Sequence, residues 1–164
     1  MNSSAGVDIR RLRDIDETKQ CARLMATSEP WLTLGRNYDE SLETLSDASK
    51  EVHVAVRNNA LVGFIILNLN GAFVGYIQTV FVVQECRGTG IGSMLLRFAE
   101  QRILRDTPNV FMCVSSFNKD AQRLYERLGY EVIGELRDYI VPGQSEILMR
   151  KTVAPLKQFR KCQG

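Results

Sequence analysis

Hydrophobic and polar positions follow two different periods along the chain. Val7 to Leu12 and Val52 to Val56 alternate at every second residue, which predicts strands. Gly90 to Arg105 instead places apolar residues at i, i+3, i+4 and i+7, which predicts a helix with one buried face. Asp120 to Leu128 has the same helical spacing, and Gly129 is a typical residue to end that helix. The chain is therefore predicted to contain both strands and helices.

The complete predicted order is β-α-α-β-β-β-α-β-α-β-β. The remaining strands are predicted at Leu61 to Leu69, Phe73 to Val83, Val110 to Val114, Tyr130 to Leu136 and Ile147 to Thr152, and the remaining helices at Asp14 to Met25 and Asp39 to Ser46. Asn58-Asn59 and Asn70-Gly71 are turn signals that join the early strands into a meander. This order predicts an α/β (α+β) fold with a mixed, mostly antiparallel central sheet of about seven strands and helices on both faces. One domain over residues 1–154 accounts for the pattern, and residues 155–164 form a tail.

Composition excludes several classes of function. The 164 residues carry a net charge of +2, and the basic residues are spread along the chain, which argues against a nucleic-acid or anionic membrane partner. No run approaches the roughly 18 apolar residues needed to span a bilayer, and the N-terminus lacks the apolar segment of a secretory signal. We therefore expect a cytoplasmic protein with neither nucleic acid nor membrane as a partner.

The cysteines and the histidine do not form a metal-binding pattern. The four cysteines show no C-x-x-C pair; they are Cys21, Cys86, Cys113 and Cys162. The one histidine, His53, cannot anchor a histidine-based metal site alone. Reduced thiols and no metal are the expectation.

The sharpest local feature is the sequence Arg-Gly-Thr-Gly-Ile-Gly from Arg87 to Gly92, between a predicted strand and a predicted helix. Glycines let the backbone approach an anion closely, and the helix start adds N–H groups and the positive end of its dipole. A plain strand-to-helix turn is the alternative. A Walker A motif would need a lysine before Ser93, and a dinucleotide fingerprint needs G-x-G-x-x-G in the first βα unit, so both nucleotide interpretations fail.

The segment from Val80 to Tyr130 resembles the GNAT superfamily of N-acetyltransferases. Arg87, Gly90 and Gly92 match its phosphate-binding signature, Arg/Gln-x-x-Gly-x-Gly/Ala. Downstream, Asn-Lys-Asp-Ala and Leu-Tyr-Glu-Arg-Leu-Gly-Tyr are similar to the family's Asn-x-x-Ala…Leu-Tyr-x-x-x-Gly-Phe element. The first half of the chain matches only in the order of its elements. The resemblance implies the GNAT fold and transfer of an acetyl group from acetyl-CoA, as cosubstrate, to an amine by direct attack in a ternary complex.

The resemblance also assigns the contacts with acetyl-CoA. The N–H groups expected to bind the pyrophosphate belong to Arg87, Gly88, Thr89, Gly90, Ile91, Gly92 and Ser93. Val82 and Val83 resemble the residues whose backbone pairs with the pantetheine arm and the acetyl carbonyl, as an added strand would. Asn118 resembles the family's cofactor-contacting asparagine, although an N-terminal cap of the next helix is an alternative role that is compatible with it.

Tyr125 matches the tyrosine that faces the CoA sulfur in the family. A phenol with a pKa of about 10 is roughly matched to a thiol of about 8.5, so it can donate its proton as the thioester breaks. The alternative is a core residue beside Leu124 and Leu128. The general base is not identified, because the family's glutamate positions hold Cys113 and the strand Tyr76-Ile-Gln-Thr79. Glu146 and Asp138 remain as candidates.

The acceptor is predicted only as a class. At pH 7, deprotonating a lysine amine costs about 4.6 kcal/mol and an α-amine about 1 kcal/mol, so a missing base mildly favours amines of low pKa. Trp31, Gln78 and Tyr139 are expected to line the acceptor pocket, although Trp31 is equally explained as a core residue. A small-molecule amine and a peptide or protein amine both stay open, as does a homodimer, which is common in the family. The functional alternatives are a non-catalytic acyl-CoA-binding module and an O- or longer-chain acyltransferase.

Overall fold

Strands and helices follow the predicted order. The computed structural model of the chain describes residues 6–160. The strands are β1 (Val7–Arg11), β2 (Lys50–Arg57), β3 (Ala60–Asn68), β4 (Tyr76–Val82), β5 (Asn109–Ser115), β6 (Glu131–Arg137) and β7 (Ser145–Thr152). The helices are α1 (Ile15–Ala26), α2 (Tyr38–Ser46), α3 (Ile91–Ile103) and α4 (Lys119–Arg127), with short 3-10 turns at Gln84–Cys86 and Leu156–Gln158.

The strands form one sheet in the order β1-β2-β3-β4-β5-β7-β6. β4 and β5 pair in parallel, whereas β1/β2, β5/β7 and β6/β7 pair antiparallel. β7 is inserted between β5 and β6, so β6 lies at the edge although it precedes β7 in the chain. This mixed sheet confirms the predicted fold class.

The sequence prediction was correct for the turn after β2 and wrong for the start of β4. Asn58 and Asn59 both take positive φ angles, 51° and 63°, as the central residues of a type I′ hairpin turn do. The strand predicted from Phe73 was wrong at its start, because β4 begins at Tyr76. Gly75 has a φ of +90° and lies so close to the backbone of the neighbouring segment that a Cβ would be 2.5 Å from a carbonyl oxygen. Extended pairing therefore begins only after this glycine.

Polar side chains fix the start of the first two helices. Asp14 accepts hydrogen bonds from the backbone N–H groups of Asp16 and Glu17, at 3.0 and 2.9 Å. Asn37 and Glu40 form a reciprocal capping box at the start of α2. These caps satisfy N–H groups that a helix start leaves unpaired.

The chain divides into two compact units, each made of two stretches of sequence. The first comprises Met1–Leu67 and Thr79–Ala99, and the second comprises Asn68–Gln78 and Glu100–Gly164. The core of the first unit is built by α1, α2, β2, β3 and the end of β4. Its buried members are Cys21, Ala22, Met25, Leu45, Val52, Val54, Phe64, Ile66 and Phe81. The domain boundary predicted at residue 154 stays a prediction, and residues 161–164 of the predicted tail lie outside the described residues.

Membrane spans, metal sites and thiols can be described for residues 6–160. No helix among them is long and apolar enough to cross a membrane. They contain no group of three or more His, Cys, Asp or Glu side chains placed to hold a metal ion. Cys21, Cys86 and Cys113 are free thiols, and burial raises the pKa of Cys21 to about 12. Cys162 lies outside the described residues.

Candidate functional site

A glycine-rich turn connects β4 to α3 in the first unit. After the 3-10 turn at Gln84–Cys86, Gly88 and Gly90 take φ angles of +72° and +89°. No heavy atom lies within 4 Å of the position that a Cβ would occupy at either glycine. Other residues adopt such φ angles only at a cost, which explains the choice of glycine. The turn therefore leaves its backbone open on one side.

The first turn of α3 presents backbone N–H groups that precede the intrahelical bonds. Met94 N donates to Gly90 O at 3.0 Å, so the N–H groups of Ile91, Gly92 and Ser93 come before the first such bond. No acidic residue stands in this turn. These N–H groups and the positive end of the helix dipole attract an anion, and the open glycines leave room for it. The turn thus fits a pyrophosphate group.

Two side chains of this turn form hydrogen bonds to nearby backbone carbonyl groups. Arg87 Nε donates to Val82 O at 3.2 Å, and Thr89 Oγ1 donates to Cys86 O at 2.5 Å. Both bonds join residues of the turn to the end of β4 or to the 3-10 turn after it. These hydrogen bonds within the protein therefore stabilise the conformation of the turn.

The two valines expected to contact the pantetheine arm differ in their backbone bonding. Val83 N donates to Val62 O at 3.0 Å, and Val83 O accepts from Cys86 N at 2.9 Å. Because successive N–H groups of a strand point to opposite edges, the N–H of Val82 faces away from β3. Val82 is therefore the valine whose N–H is directed to an added strand. The pantetheine contact stays a prediction for both residues.

Asn118 caps α4 in the second unit. Its Oδ1 accepts a hydrogen bond from Ala121 N at 3.2 Å, which confirms the capping role considered from the sequence. The amide nitrogen of the same side chain takes no part in that cap. The predicted contact with the cofactor is compatible with the cap and stays a prediction.

Tyr125 lies near the end of α4 and is 9% exposed. Its ring packs edge-on against Tyr130, with 6.2 Å between ring centroids. Burial raises the pKa of Tyr125 to about 12, so the phenol is protonated at neutral pH. Within residues 6–160 its hydroxyl has no hydrogen-bond partner. The ring serves packing, while the proton of the hydroxyl stays uncommitted; its role as acid remains a prediction.

The three residues expected to line the acceptor pocket fall in both units. Trp31, in the first unit, packs on the core cluster with its ring 5.8 Å from that of Phe81, as the core interpretation predicts. Gln78 is half-buried on β4, and Tyr139 is 63% exposed between β6 and β7, both in the second unit. Their role as a pocket lining stays a prediction.

Several polar side chains lie close together on one sheet face of the second unit, although they are far apart in the sequence. Ser115 on β5 stands opposite Glu146 on β7, and its Oγ donates to Glu146 Oε1 at 2.7 Å. Cys113, two residues earlier on the same face, interacts electrostatically with Tyr76 on β4, and burial raises the pKa of both groups. Ser115 and Glu146 are 31 residues apart, so only the strand register could have revealed the pair.

The two carboxylates considered as general bases have different surroundings. Asp138 takes a φ of 50°, and its Oδ1 accepts the Gly143 N–H at 2.6 Å, so it closes its own exposed loop. Glu146 is 5% exposed. Burial raises the pKa of Glu146, and the hydrogen bond from Ser115 opposes that shift.

Comparison with protein families and with known proteins shows which of them this chain resembles. The acetyltransferase (GNAT) family model matches residues 13–130. An N-alpha-acetyltransferase of Saccharolobus solfataricus is 26% identical over 156 residues, covering 86% of this chain and 89% of that protein.

Two solved structures share the fold. Arabidopsis thaliana Naa50 in complex with the bisubstrate analogue CoA-Ac-MVNAL gives a TM-score of 0.70 at 21% identity, covering 91% of this chain and 100% of that one. Spermidine N-acetyltransferase from Vibrio cholerae, in complex with CoA and spermine, gives 0.70 at 17% identity, covering 94% and 98%. The fold, the enzyme class and the acetyl-CoA cosubstrate predicted from the sequence are confirmed, since the family model spans more than half of the chain. The chain belongs to the acetyltransferase (GNAT) family.

Proposed function

We propose that this protein transfers the acetyl group of acetyl-CoA to the α-amino group of a peptide or protein, by direct attack within a ternary complex. Acetyl transfer follows from the family, and the acceptor is the new element of the proposal. Its support is the similarity to an N-alpha-acetyltransferase along 86% of this chain and 89% of that protein. An α-amine also costs only about 1 kcal/mol to deprotonate at pH 7.

The observation that carries the acetyl-CoA part of the proposal is the open turn before α3. The turn contains two glycines with positive φ angles and free space beside them. Backbone N–H groups that precede the first helical hydrogen bond follow them. This arrangement suits the pyrophosphate of CoA. The N–H of Val82 is directed away from β3, which suits pairing with an extended arm that carries amides. Both features involve only the backbone and bind CoA. Recognition of the acceptor amine therefore depends on other residues.

Tyr125 is proposed as the group that protonates the departing sulfur. Its hydroxyl has no hydrogen-bond partner within residues 6–160, so its proton is available to a bound group. With a pKa raised to about 12, the phenol keeps its proton until negative charge develops beside it.

A small-molecule amine is the second candidate acceptor. The similarity in fold to a spermidine N-acetyltransferase supports it at the level of the fold. The two acceptors differ in the amine pKa and in the need for a peptide backbone, so a direct comparison separates them.

The first experiment is calorimetric titration of acetyl-CoA into the wild-type protein, Gly90→Val and Gly35→Val. Gly35 is the matched control: its φ is +68°, and no heavy atom lies within 4 Å of a Cβ placed there. Both variants carry a similar backbone cost, so only the position of the side chain differs. We expect Gly90→Val to lose binding at least tenfold and Gly35→Val to bind as the wild type does.

The second experiment measures release of free CoA thiol with a peptide bearing a free α-amine, the same peptide N-acetylated, and spermidine. Thiol release with the free peptide alone supports the proposal. Release with spermidine alone replaces the peptide with a small-molecule acceptor. Binding of acetyl-CoA without thiol release from any amine indicates the non-catalytic module, and absent binding by the wild type refutes the proposed function.

A further inference from the structure

The Ser115–Glu146 pair is an unusual feature of the second unit. Ser115 is 3% exposed and Glu146 is 5% exposed, and they face each other across the β5–β7 pair. The hydrogen bond between them measures 2.7 Å, a normal length for an O–H···O bond. Gln122 Nε2 donates to the backbone carbonyls of Ser115 and Ser116 at 3.1 Å each, which fixes the end of β5. The pair is therefore held in one geometry by α4 as well as by the sheet.

Glu146 lacks the partner that a buried carboxylate normally has. Among residues 6–160, no lysine or arginine forms an ion pair with it, and Ser115 is its hydrogen-bond partner. A buried charge without a cation is unfavourable, so a carboxylate kept in such a place is a candidate for a group that takes up a proton or binds a cation. A purely structural bond between these strands would not need an ionisable group.

The sheet face that carries Ser115 and Glu146 is only partly buried, and the other titratable groups near Glu146 are neutral. On β5, Val110, Met112 and Val114 point into the core, whereas Phe111 and Cys113 on the opposite face are only partly buried. The titratable groups that interact electrostatically with Glu146 are Tyr76 from β4 and Cys113 from β5. Tyr139, from the β6–β7 loop, interacts with Tyr76. From β6, the apolar Leu136 stands opposite Glu146.

The neighbours of Glu146 leave its charge uncompensated. Burial raises the pKa of Tyr76 and of Cys113, which keeps both in the neutral form. The carboxylate is therefore the basic group of this face, and a cationic amine is the ligand that its charge favours.

We propose that the Ser115–Glu146 pair accepts the proton that the acceptor amine must lose, an inference that rests on the proposed acetyl transfer. The ammonium form gives one proton to the Ser115 hydroxyl, which passes its own proton to Glu146. The neutral nitrogen then forms the C–N bond to the acetyl carbon as the C–S bond breaks. Tyr125 gives its proton to the departing sulfur, the remaining surplus N–H proton restores the phenol, and Glu146 releases its proton to solvent before the next cycle.

The proposal determines the sign of the pH dependence. Because burial raises the pKa of Glu146, the carboxylate forms at a higher pH than an exposed glutamate does, and turnover should rise with pH through that pKa. Ser115→Ala removes both the hydroxyl that relays the proton and the hydrogen bond that lowers this pKa, so turnover should fall and the rising limb of the remaining activity should move to higher pH. Glu146→Gln removes the ionisable group and should abolish the limb, leaving only the ionisation of the amine.

The test compares the wild type, Glu146→Gln and Ser115→Ala with Glu131→Gln, an exposed glutamate on β6, as matched control. Thiol release from saturating acetyl-CoA is measured from pH 5 to 10 with the free-amine peptide and with spermidine. We expect Glu146→Gln to lose roughly a hundredfold in turnover, the lower end of a general-base contribution. Its affinity for acetyl-CoA in calorimetry should stay within threefold of the wild type.

Turnover of Glu146→Gln within threefold of the wild type, or an unchanged rising limb, would overturn the proposal. So would a carboxyl-carbon NMR titration of the free protein in which Glu146 titrates together with exposed Glu131, a measurement that needs no acceptor. If the wild type binds no acetyl-CoA, the proposed function fails first. A Glu146→Gln protein that binds the donor and turns over normally refutes the role of the pair alone.

Discussion

Gly63 on β3 offers a sharp test of how the helix after the glycine turn is positioned. A Cβ at this residue would lie 2.6 Å from the backbone oxygen of Phe81 on β4, 3.2 Å from Leu95 Cδ1 and 3.6 Å from Ile91 Cγ2 on α3. The carbonyl belongs to the neighbouring strand and cannot rotate away as a flexible side chain would. Gly63→Ala should therefore destabilise the protein, because β4 and the first turns of α3 must both shift.

The expected size follows from overpacking. Adding a methyl group to a well-packed core costs about 1–3 kcal/mol, and the lower entropy of the unfolded alanine chain returns about 0.4–1 kcal/mol. For a chain of this size a net loss of about 1–2 kcal/mol lowers Tm by about 2–8 °C. Displacement of the α3 start should also weaken acetyl-CoA binding.

Urea unfolding, thermal melting and acetyl-CoA calorimetry measure these effects. Gly134→Ala is the matched control, since it is also a strand glycine and no heavy atom lies within 4 Å of an added Cβ. It should leave stability unchanged or raise it by about 0.4–1 kcal/mol. If both alanine variants unfold at the same urea concentration as the wild type, the close approach at Gly63 does not set the position of α3.

Two further predictions concern single polar side chains. Tyr125→Phe should lower turnover at least tenfold while acetyl-CoA affinity in calorimetry stays unchanged; equal turnover from pH 6 to 10 would exclude the phenol as the acid. Glu17 forms a two-point ion pair with Arg10, at 2.6 and 3.1 Å, and the hydrogen bond from Arg10 holds the pKa of Glu17 below its usual range. Its contribution is present above the unfolded pKa of about 4.3 and is lost as pH falls through the folded pKa. Glu17→Gln should thus be less stable at pH 7 and lose less stability than the wild type on acidification; parallel curves in chemical denaturation would contradict this.

Local pattern predicted the elements well because their signals lie within a few residues. The apolar spacing of α3 and the Asn58-Asn59 turn depend on neighbours in the chain, and both were confirmed. The start of β4 was predicted too early because Phe73 and Val74 have high strand propensity, yet their side chains are 48% and 47% exposed in a loop before Gly75. Tertiary contact at that glycine overrode propensity.

The residues of the candidate site also differ in whether their arrangement depends on neighbours in the sequence or on contacts between distant strands. Backbone recognition of an anion requires a glycine turn and a helix start, both contiguous in sequence, so the turn at Arg87–Gly92 could be located from the amino-acid sequence alone. The Ser115–Glu146 pair joins side chains 31 residues apart through the β5–β7 register. Because β7 is inserted between β5 and β6, consecutive pairing of strands would have placed Glu146 away from Ser115.

The proposed role of Glu146 changes what is expected of the acceptor. Without a base, the sequence mildly favoured acceptor amines of low pKa, since a lysine-like amine costs about 4.6 kcal/mol to deprotonate at pH 7 and an α-amine about 1 kcal/mol. A buried carboxylate with a raised pKa is a stronger proton acceptor than an exposed one, and it supplies part of that difference. Glu146→Gln should therefore slow acetylation of spermidine more than acetylation of a peptide α-amine at pH 7. The two losses should approach each other near pH 10, where the α-amine is almost fully deprotonated and about 30% of a lysine-like amine is also neutral. Equal losses at both pH values would mean that Glu146 does not take the proton of the amine, whatever else it stabilises.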